Sequence, residues 1–305
     1  MFRTIVVGWD GSEQARDALA LARLIARPSN AKIVAACVYE GAPVVPVANS
    51  AGWYDYLREA ADETLEQAGP DTDRHAIASS SAARGLHDIA EAERADLVVL
   101  GSCHRGPVGR ILAGSVGERL LHGAPCAVSV APRGFADKDE ANLGVIAVGY
   151  NGEPESDLAL QSAAELARAA GASVRLVGIV TPPKALLVPA KPVAFPSAQE
   201  ILDARREYLQ GVLERGVGKL PADANPSASI ALGSADALGD QEGIDVIVVG
   251  SRGYGPLKRT LLGSTSTALI RHAAYPVIVI PRGTVGDRDN GHPVGQPLSA
   301  TFERQ

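Results

Sequence analysis

Short apolar runs rich in Val and Ile alternate with longer stretches whose apolar residues recur at helical spacing, and the whole alternation is written twice along the chain. The runs predict strands near 3–8, 32–39, 74–79, 96–101 and 126–131, and again near 144–149, 173–180, 227–232, 245–250 and 276–281. Between the first set, the helical period predicts helices near 12–27, 51–68, 84–93 and 115–122. The first of these is the clearest: Ser12 is placed to cap it, and Ala15, Ala18, Leu19, Ala22, Ile25 and Ala26 form its apolar stripe. Strands apolar on both faces, separated by helices, belong to a parallel sheet covered on both sides, since each right-handed crossover lays a helix back on the sheet. The expected fold class is α/β: two tandem doubly wound, mainly parallel five-stranded sheets, with ligands at the carboxyl ends of the strands.

The repetition extends to individual residues. Ile5 to Gly11 returns as Ile146 to Gly152, 141 residues later. Ala95 to Ser102 returns as Ile244 to Ser251, Gly114-Ser115 as Gly263-Ser264, and Val128 to Gly134 as Val277 to Gly283, each 149 residues later. A duplication with a change of loop length accounts for both spacings. It divides the chain into a first domain at 1–134, a charged linker at 135–142 and a second domain at 143–283. A tail at 284–305, rich in Gly, Pro and polar residues, is expected to be disordered. The Pro- and Ala-rich insert around 181–200 reads as a loop over the second site or as a spacer.

Composition narrows the function. A chain of 305 residues with 46% hydrophobic residues has length and core material for about two domains. The net charge of −6 and an aromatic content of 4% argue against nucleic acid as a partner, which calls for basic excess and stacking platforms. No apolar stretch approaches the length of a membrane span. The first apolar run, broken by Gly8 and Asp10, reads as a strand and not as a signal peptide. Three widely spaced cysteines, Cys37, Cys103 and Cys126, fit reduced thiols in a cytoplasm better than a disulfide framework.

The candidate chemistry sits where a strand ends in Gly250-Ser251-Arg252-Gly253, followed after nine residues by Gly263-Ser264 at a helix start. Glycines let the backbone approach a ligand, and free N–H groups at a helix start attract phosphate. Ser264 and Thr265 add hydroxyls, while Arg252, Lys258 and Arg259 bring positive charge or simply a solvated face. Cys103-His104 lacks the further Cys or His residues a metal site needs. His75, His87, His122 and His272 read as surface or partly satisfied residues and not as acids or bases, and Cys126 as a small buried hydrophobe.

This strand, glycine loop and helix start, set in a duplicated domain, resemble the nucleotide-binding signature of the ATP-binding universal stress proteins over residues 1 to about 283. The resemblance implies a Rossmann-like, adenine nucleotide alpha hydrolase-like fold in which Ala127 to Val130 and Val277 to Ile280 pair the two copies as an intrachain pseudo-dimer. It implies adenine nucleotide, ATP with or without Mg²⁺, as ligand, with Asp10 as a base and ribose contact and Gly101, Gly114 and Ser115 around the phosphates of the first copy. There His104 stands at the second glycine position. In the second copy Gly250, Arg252, Gly253, Gly263, Ser264 and Thr265 complete the loop, but Asn151 replaces the aspartate, keeping an acceptor oxygen and losing the charge. The second copy therefore ranks as the better phosphate site and the first as the better ribose contact. Asp10 as a Mg²⁺ ligand competes with a plain turn or capping role. No P-loop, kinase set or paired carboxylates accompany the motif, so the implied role is nucleotide-dependent regulation of protein partners with slow or absent hydrolysis. The departures His104 and Asn151 favour an interaction module that no longer binds nucleotide; a slow hydrolase ranks last. A further homodimer is left open.

Overall fold

The computed structural model describes residues 1–41, 51–103, 109–138, 142–182, 197–253, 260–261 and 264–281. In the first copy the chain runs through β1 (Thr4–Gly8), α1 (Glu13–Ala26), β2 (Lys32–Glu40), α2 (Ala51–Glu66), β3 (Asp73–Ser79), α3 (Ala82–Ala92), β4 (Leu97–Gly101), α4 (Ser115–Leu121) and β5 (Ala127–Ala131). The second copy follows with β6 (Val145–Gly149), α5 (Pro154–Ala170), β7 (Ser173–Val180), α6 (Ala198–Val217), β8 (Ser227–Leu232), α7 (Asp236–Gly239) and β9 (Val246–Gly250). It closes with β10 (Arg252–Gly253), β11 (Thr260–Leu261), α8 (Ser264–His272) and β12 (Val277–Ile280).

The strands form one ten-stranded sheet in the order β3-β2-β1-β4-β5-β12-β9-β6-β7-β8, while β10 and β11 make a separate antiparallel ribbon. Each half is a parallel five-stranded sheet, and the halves join where β5 and β12 pair antiparallel, Val130 opposite Val277 and Val128 opposite Val279. That seam is a pseudo-dimer contact within one chain. It covers two apolar strand edges that would otherwise stand open. Ser129, fully buried there, donates its hydroxyl to the Val277 carbonyl at 3.1 Å.

Helices α1, α2, α5 and α6 bury one face of the sheet, and α3, α4, α7 and α8 bury the other. Helix α1 starts as its sequence indicates, with Ser12 Oγ accepting the Ala15 N–H at 3.1 Å. Helix α3 starts two residues before the expected position because Ser81, which accepts the Arg84 N–H, is its cap. A matched pair of carboxylates anchors the strand starts. Asp96 Oδ2 accepts the Arg3 and Thr4 N–H groups, and Asp245 Oδ2 accepts those of Gly144 and Val145.

Two features depart from the simple repeat. Helix α7 is a single turn where the first copy has the three-turn α3. The segment after β5 does not begin as a solvated tether. Phe135 is buried, and the buried carboxylate of Asp17 on α1 accepts the Gly134 and Ala136 N–H groups, each at 2.8 Å. Most of the 181–200 insert and the tail at 284–305 lie outside the described residues.

Candidate functional site

The described residues of each copy form a cavity at the carboxyl ends of its strands. The first, about 540 Å³, is walled by Ala36, Val38, Leu86 and Leu100 and floored by Gly8, Asp10, Gly101 and the stretch from Gly114 to Gly117. The second, about 700 Å³, has Val177, Ile179, Leu209 and Val249 as apolar wall, with Gly149, Asn151, Gly250 and Ser266 at the strand ends.

The turn after the first strand of each copy is built alike. Gly11 and Gly152 take positive φ, 75° and 81°, which releases the chain into the following helix. Asp10 Oδ1 accepts the Ser12 N–H at 3.0 Å and the Ser12 hydroxyl at 2.5 Å; Asn151 Oδ1 accepts the Glu153 N–H at 3.1 Å. The plain turn role is thus real in both copies. It uses one side-chain atom and leaves Asp10 Oδ2 without a partner among the described residues, at the edge of the cavity. Burial, then the Asp10 and Asp62 charges, push the nearby Cys37 thiol up from its ordinary value. Behind the turn, Trp9 donates to the Thr64 carbonyl at 2.8 Å and Tyr150 to Asp157 at 2.7 Å, which fixes the cavity floor.

The glycines of the motif serve two different ends. A Cβ on Gly101 would lie 2.0 Å from the Gln14 carbonyl oxygen, and one on Gly250 would lie 2.2 Å from that of Glu155. These glycines let the first turn of α1 and of α5 sit against a strand end, with or without a ligand. Gly114 is different: its φ of −79° suits any residue, and among the described residues a Cβ would meet only Cys103 Cβ at 3.8 Å. Packing against the described residues gives no reason for glycine there.

From β4 the first loop starts as a short ribbon, the Leu112 N–H donating to Ser102 Oγ at 2.6 Å and the Cys103 N–H to the Leu112 carbonyl at 2.6 Å. The β10–β11 ribbon, with Arg252 opposite Leu261 and Gly253 opposite Thr260, repeats it 149 residues on. It returns the chain to α8, which begins with Ser264 and Thr265. Asp10, Gly101, Gly114 and Ser115 therefore share the first cavity, and Asn151 and Gly250 the second. Gly263, His104, Lys258 and Arg259 lie outside the described residues.

One residue escaped the sequence reading. Ser266, buried, donates its hydroxyl to the Gly250 carbonyl at 3.1 Å and lines the second cavity; the first copy has Gly117 at this position. The hydroxyl-rich run Ser264-Thr265-Ser266, against Ser115-Val116-Gly117, carried the signal. The two linings also differ in charge. Among the described residues Asp10 is the one carboxylate of the first, whereas Glu153, Glu155 and Asp236 line the second. Cys103 lines the first cavity as a free thiol, and Cys126 is buried as expected. His87, Asp88 and Glu91 come together on the surface of α3, where Arg84 Nε already donates to Asp88 at 3.0 Å. No helix among the described residues is long and apolar enough to cross a membrane.

Known proteins resemble this chain. A universal stress protein of Mycobacterium tuberculosis is 28% identical over 299 residues, covering 91% of this chain and 99% of the relative. A second from the same species is 33% identical over 190 residues, 61% of either chain. The solved structure of a universal stress protein from Archaeoglobus fulgidus DSM 4304 matches with a TM-score of 0.65 at 19% identity, over 92% of this chain and 99% of that one. A putative universal stress protein from Pseudomonas aeruginosa matches with a TM-score of 0.57 at 18% identity, over 92% and 93%. At these identities the structures share the fold. The profile of the universal stress protein family matches residues 1–132 and again 143–281, so the chain belongs to that family and carries its domain twice.

Proposed function

We propose that the chain binds adenine nucleotide, ATP foremost, in its two strand-end cavities, and that occupancy regulates its association with protein partners in a stress response. The observation that supports the reading is Gly114, a glycine that no packing against the described residues requires, at the helix start where a backbone would meet phosphate. The rest of the cavity fits. Volumes of 540 and 700 Å³ lie within the range of small-molecule sites, and the apolar walls suit a base. Asp10 Oδ2 is positioned to accept from a ribose hydroxyl in the first cavity, and Asn151 offers an amide in the second. To the phosphates we assign Gly114 and Ser115 at the start of α4 and, in the second copy, Gly263, Ser264, Thr265, Arg252 and Gly253 of the sequence motif. Mg²⁺ would arrive with the phosphates, since it keeps several waters and needs only one or two carboxylates. The three carboxylates lining the second cavity make a cation more necessary there.

The test is nucleotide content. The purified protein is denatured, the released small molecules are resolved by ion exchange, and ATP binding is measured by calorimetry on the emptied chain. Bound adenine nucleotide, displaced by added ATP, is expected. Absence of both co-purified nucleotide and binding at millimolar ATP would instead leave an interaction module.

A further inference from the structure

We propose that the two nucleotide sites are energetically coupled through helix α8, which the loop of the first site caps and the second site uses as a wall. The proposal rests on the nucleotide reading above and adds to it a regulation that neither copy could have alone.

The last carbonyls of any helix have no partner within it. Two carbonyls at this end, that of Ile270 within α8 and that of Ala273 just past it, are satisfied by the other copy: the Ala113 N–H donates to the Ile270 carbonyl at 2.9 Å and the Ile111 N–H to the Ala273 carbonyl at 2.8 Å. Ile111 is fully buried in making this contact. The residues that follow, Gly114 and Ser115, line the first cavity. Toward the other end of α8, Ser266 bonds the Gly250 carbonyl and, with Ala268, lines the second cavity. One nine-residue helix is thus held at its C-terminal end by the first site's loop while its N-terminal half forms the second site.

Two ion pairs run alongside, Arg110 with Asp240 at 3.4 Å and Glu118 with Arg271 at 3.6 Å. Asp240 follows α7, whose Asp236 also lines the second cavity. Between the halves a space of about 290 Å³, bounded by Arg110, Asp236, Asp240, Ala268, Leu269 and Ala273, gives α7 and α8 room to shift. Close-packed interiors deny such room. A nucleotide that immobilises Gly114 and Ser115 fixes the two donors capping α8, so a second nucleotide meets a wall already held. Ordering provided by the first ligand need not be repeated for the second, which makes the coupling positive.

The test uses the full chain and ATP in three forms: wild type, Ser115→Glu, which closes the first site by charge, and Ile111→Ala, which loosens the cap and touches neither cavity. Ile111→Val serves should the alanine variant not fold. The expected result is a second-site Kd tighter by about fivefold or more in wild type, with its first site filled, than in Ser115→Glu. Ile111→Ala should fill both sites while its second-site Kd relaxes toward that of Ser115→Glu. Equal second-site affinity in wild type and Ser115→Glu overturns the coupling and leaves nucleotide binding intact, as does a single ATP per wild-type chain. No ATP on the wild type overturns the nucleotide reading, and the coupling with it.

Discussion

A methyl group added at Gly101 would sit 2.0 Å from the Gln14 carbonyl oxygen and 2.5 Å from its carbon. The obstacle is backbone in the first turn of α1, fixed by the Ser12 cap, so it cannot swing aside as a side chain could. Helix and strand must separate. Overpacking of this kind costs about 1–3 kcal/mol, and a backbone clash belongs at the upper end. At about 2–4 °C per kcal/mol, Gly101→Ala should lower Tm by about 6–12 °C. Gly250→Ala, 2.2 Å from the Glu155 oxygen, should do the same in the second copy. Gly114→Ala is the contrast, with its φ of −79° and Cys103 Cβ 3.8 Å away. At a helix N-cap it should cost under about 1 kcal/mol, yet its methyl group would intrude on the proposed phosphate position. Thermal melts and ATP calorimetry on the variants separate the two roles. A Gly101→Ala protein melting within about 2 °C of wild type would refute the packing argument. A Gly114→Ala protein with wild-type ATP affinity and stoichiometry would refute the assignment of Gly114 to ligand approach.

Three further outcomes are expected. Asp17→Ala leaves the Gly134 and Ala136 N–H groups without their acceptor and should cost about 3 kcal/mol, read as a lower urea midpoint, with Asp17→Asn losing about half as much. Burial and the bond to Asp157 hold Tyr150 above its ordinary pKa of 10.0, and the bond to Asp157 holds Lys219 above 10.5. Both folded values are raised, so this stabilisation is complete below about pH 10 and is lost as pH climbs through the folded values; a pH series of urea melts should fall more steeply there in wild type than in Tyr150→Phe. Iodoacetamide should modify Cys103 ahead of the buried Cys37 and Cys126, and ATP should slow it; modification at an unchanged rate in saturating ATP would remove the first cavity as a binding site.

What the sequence revealed and what it hid divide by distance along the chain. The strands β7 and β8 fall where their apolar runs predict, and Ser12 caps α1, because each depends on neighbours in sequence. The seam between β5 and β12 was legible through the family resemblance, which implies that the last strands of the two copies pair. The position of α3 was harder to read, because Ser79, Ser80 and Ser81 offer three caps and only packing chooses. The partners of Asp17 are N–H groups 117 and 119 residues away, beyond the reach of any local pattern. Those bonds, with buried Phe135, dock a segment whose composition reads as linker. At Gly101 and Gly250 the motif carries a requirement its spacing did not reveal, a helix carbonyl standing where a Cβ would be.

The seam shows why two copies in one chain differ from two chains. In a symmetric dimer every contact occurs twice, with the roles of the two surfaces exchanged. Here the Ser129 hydroxyl bonds the Val277 carbonyl, but the residue matching Ser129 in the second copy is Ile278, which has no hydroxyl to return the bond. The same loss of exchange separates the cavities: Asp10 faces one and Asn151 the other, Gly117 one and Ser266 the other. Fusion permits this, because a substitution in a fused chain alters one site where in a homodimer it would alter both. The first cavity keeps the anionic turn residue; the second has the larger volume and the acidic rim. Under the proposed nucleotide binding, these different linings would give the two sites different affinities, and positive coupling through α8 would draw their filling together, so the seam that makes the sites unequal also joins their responses.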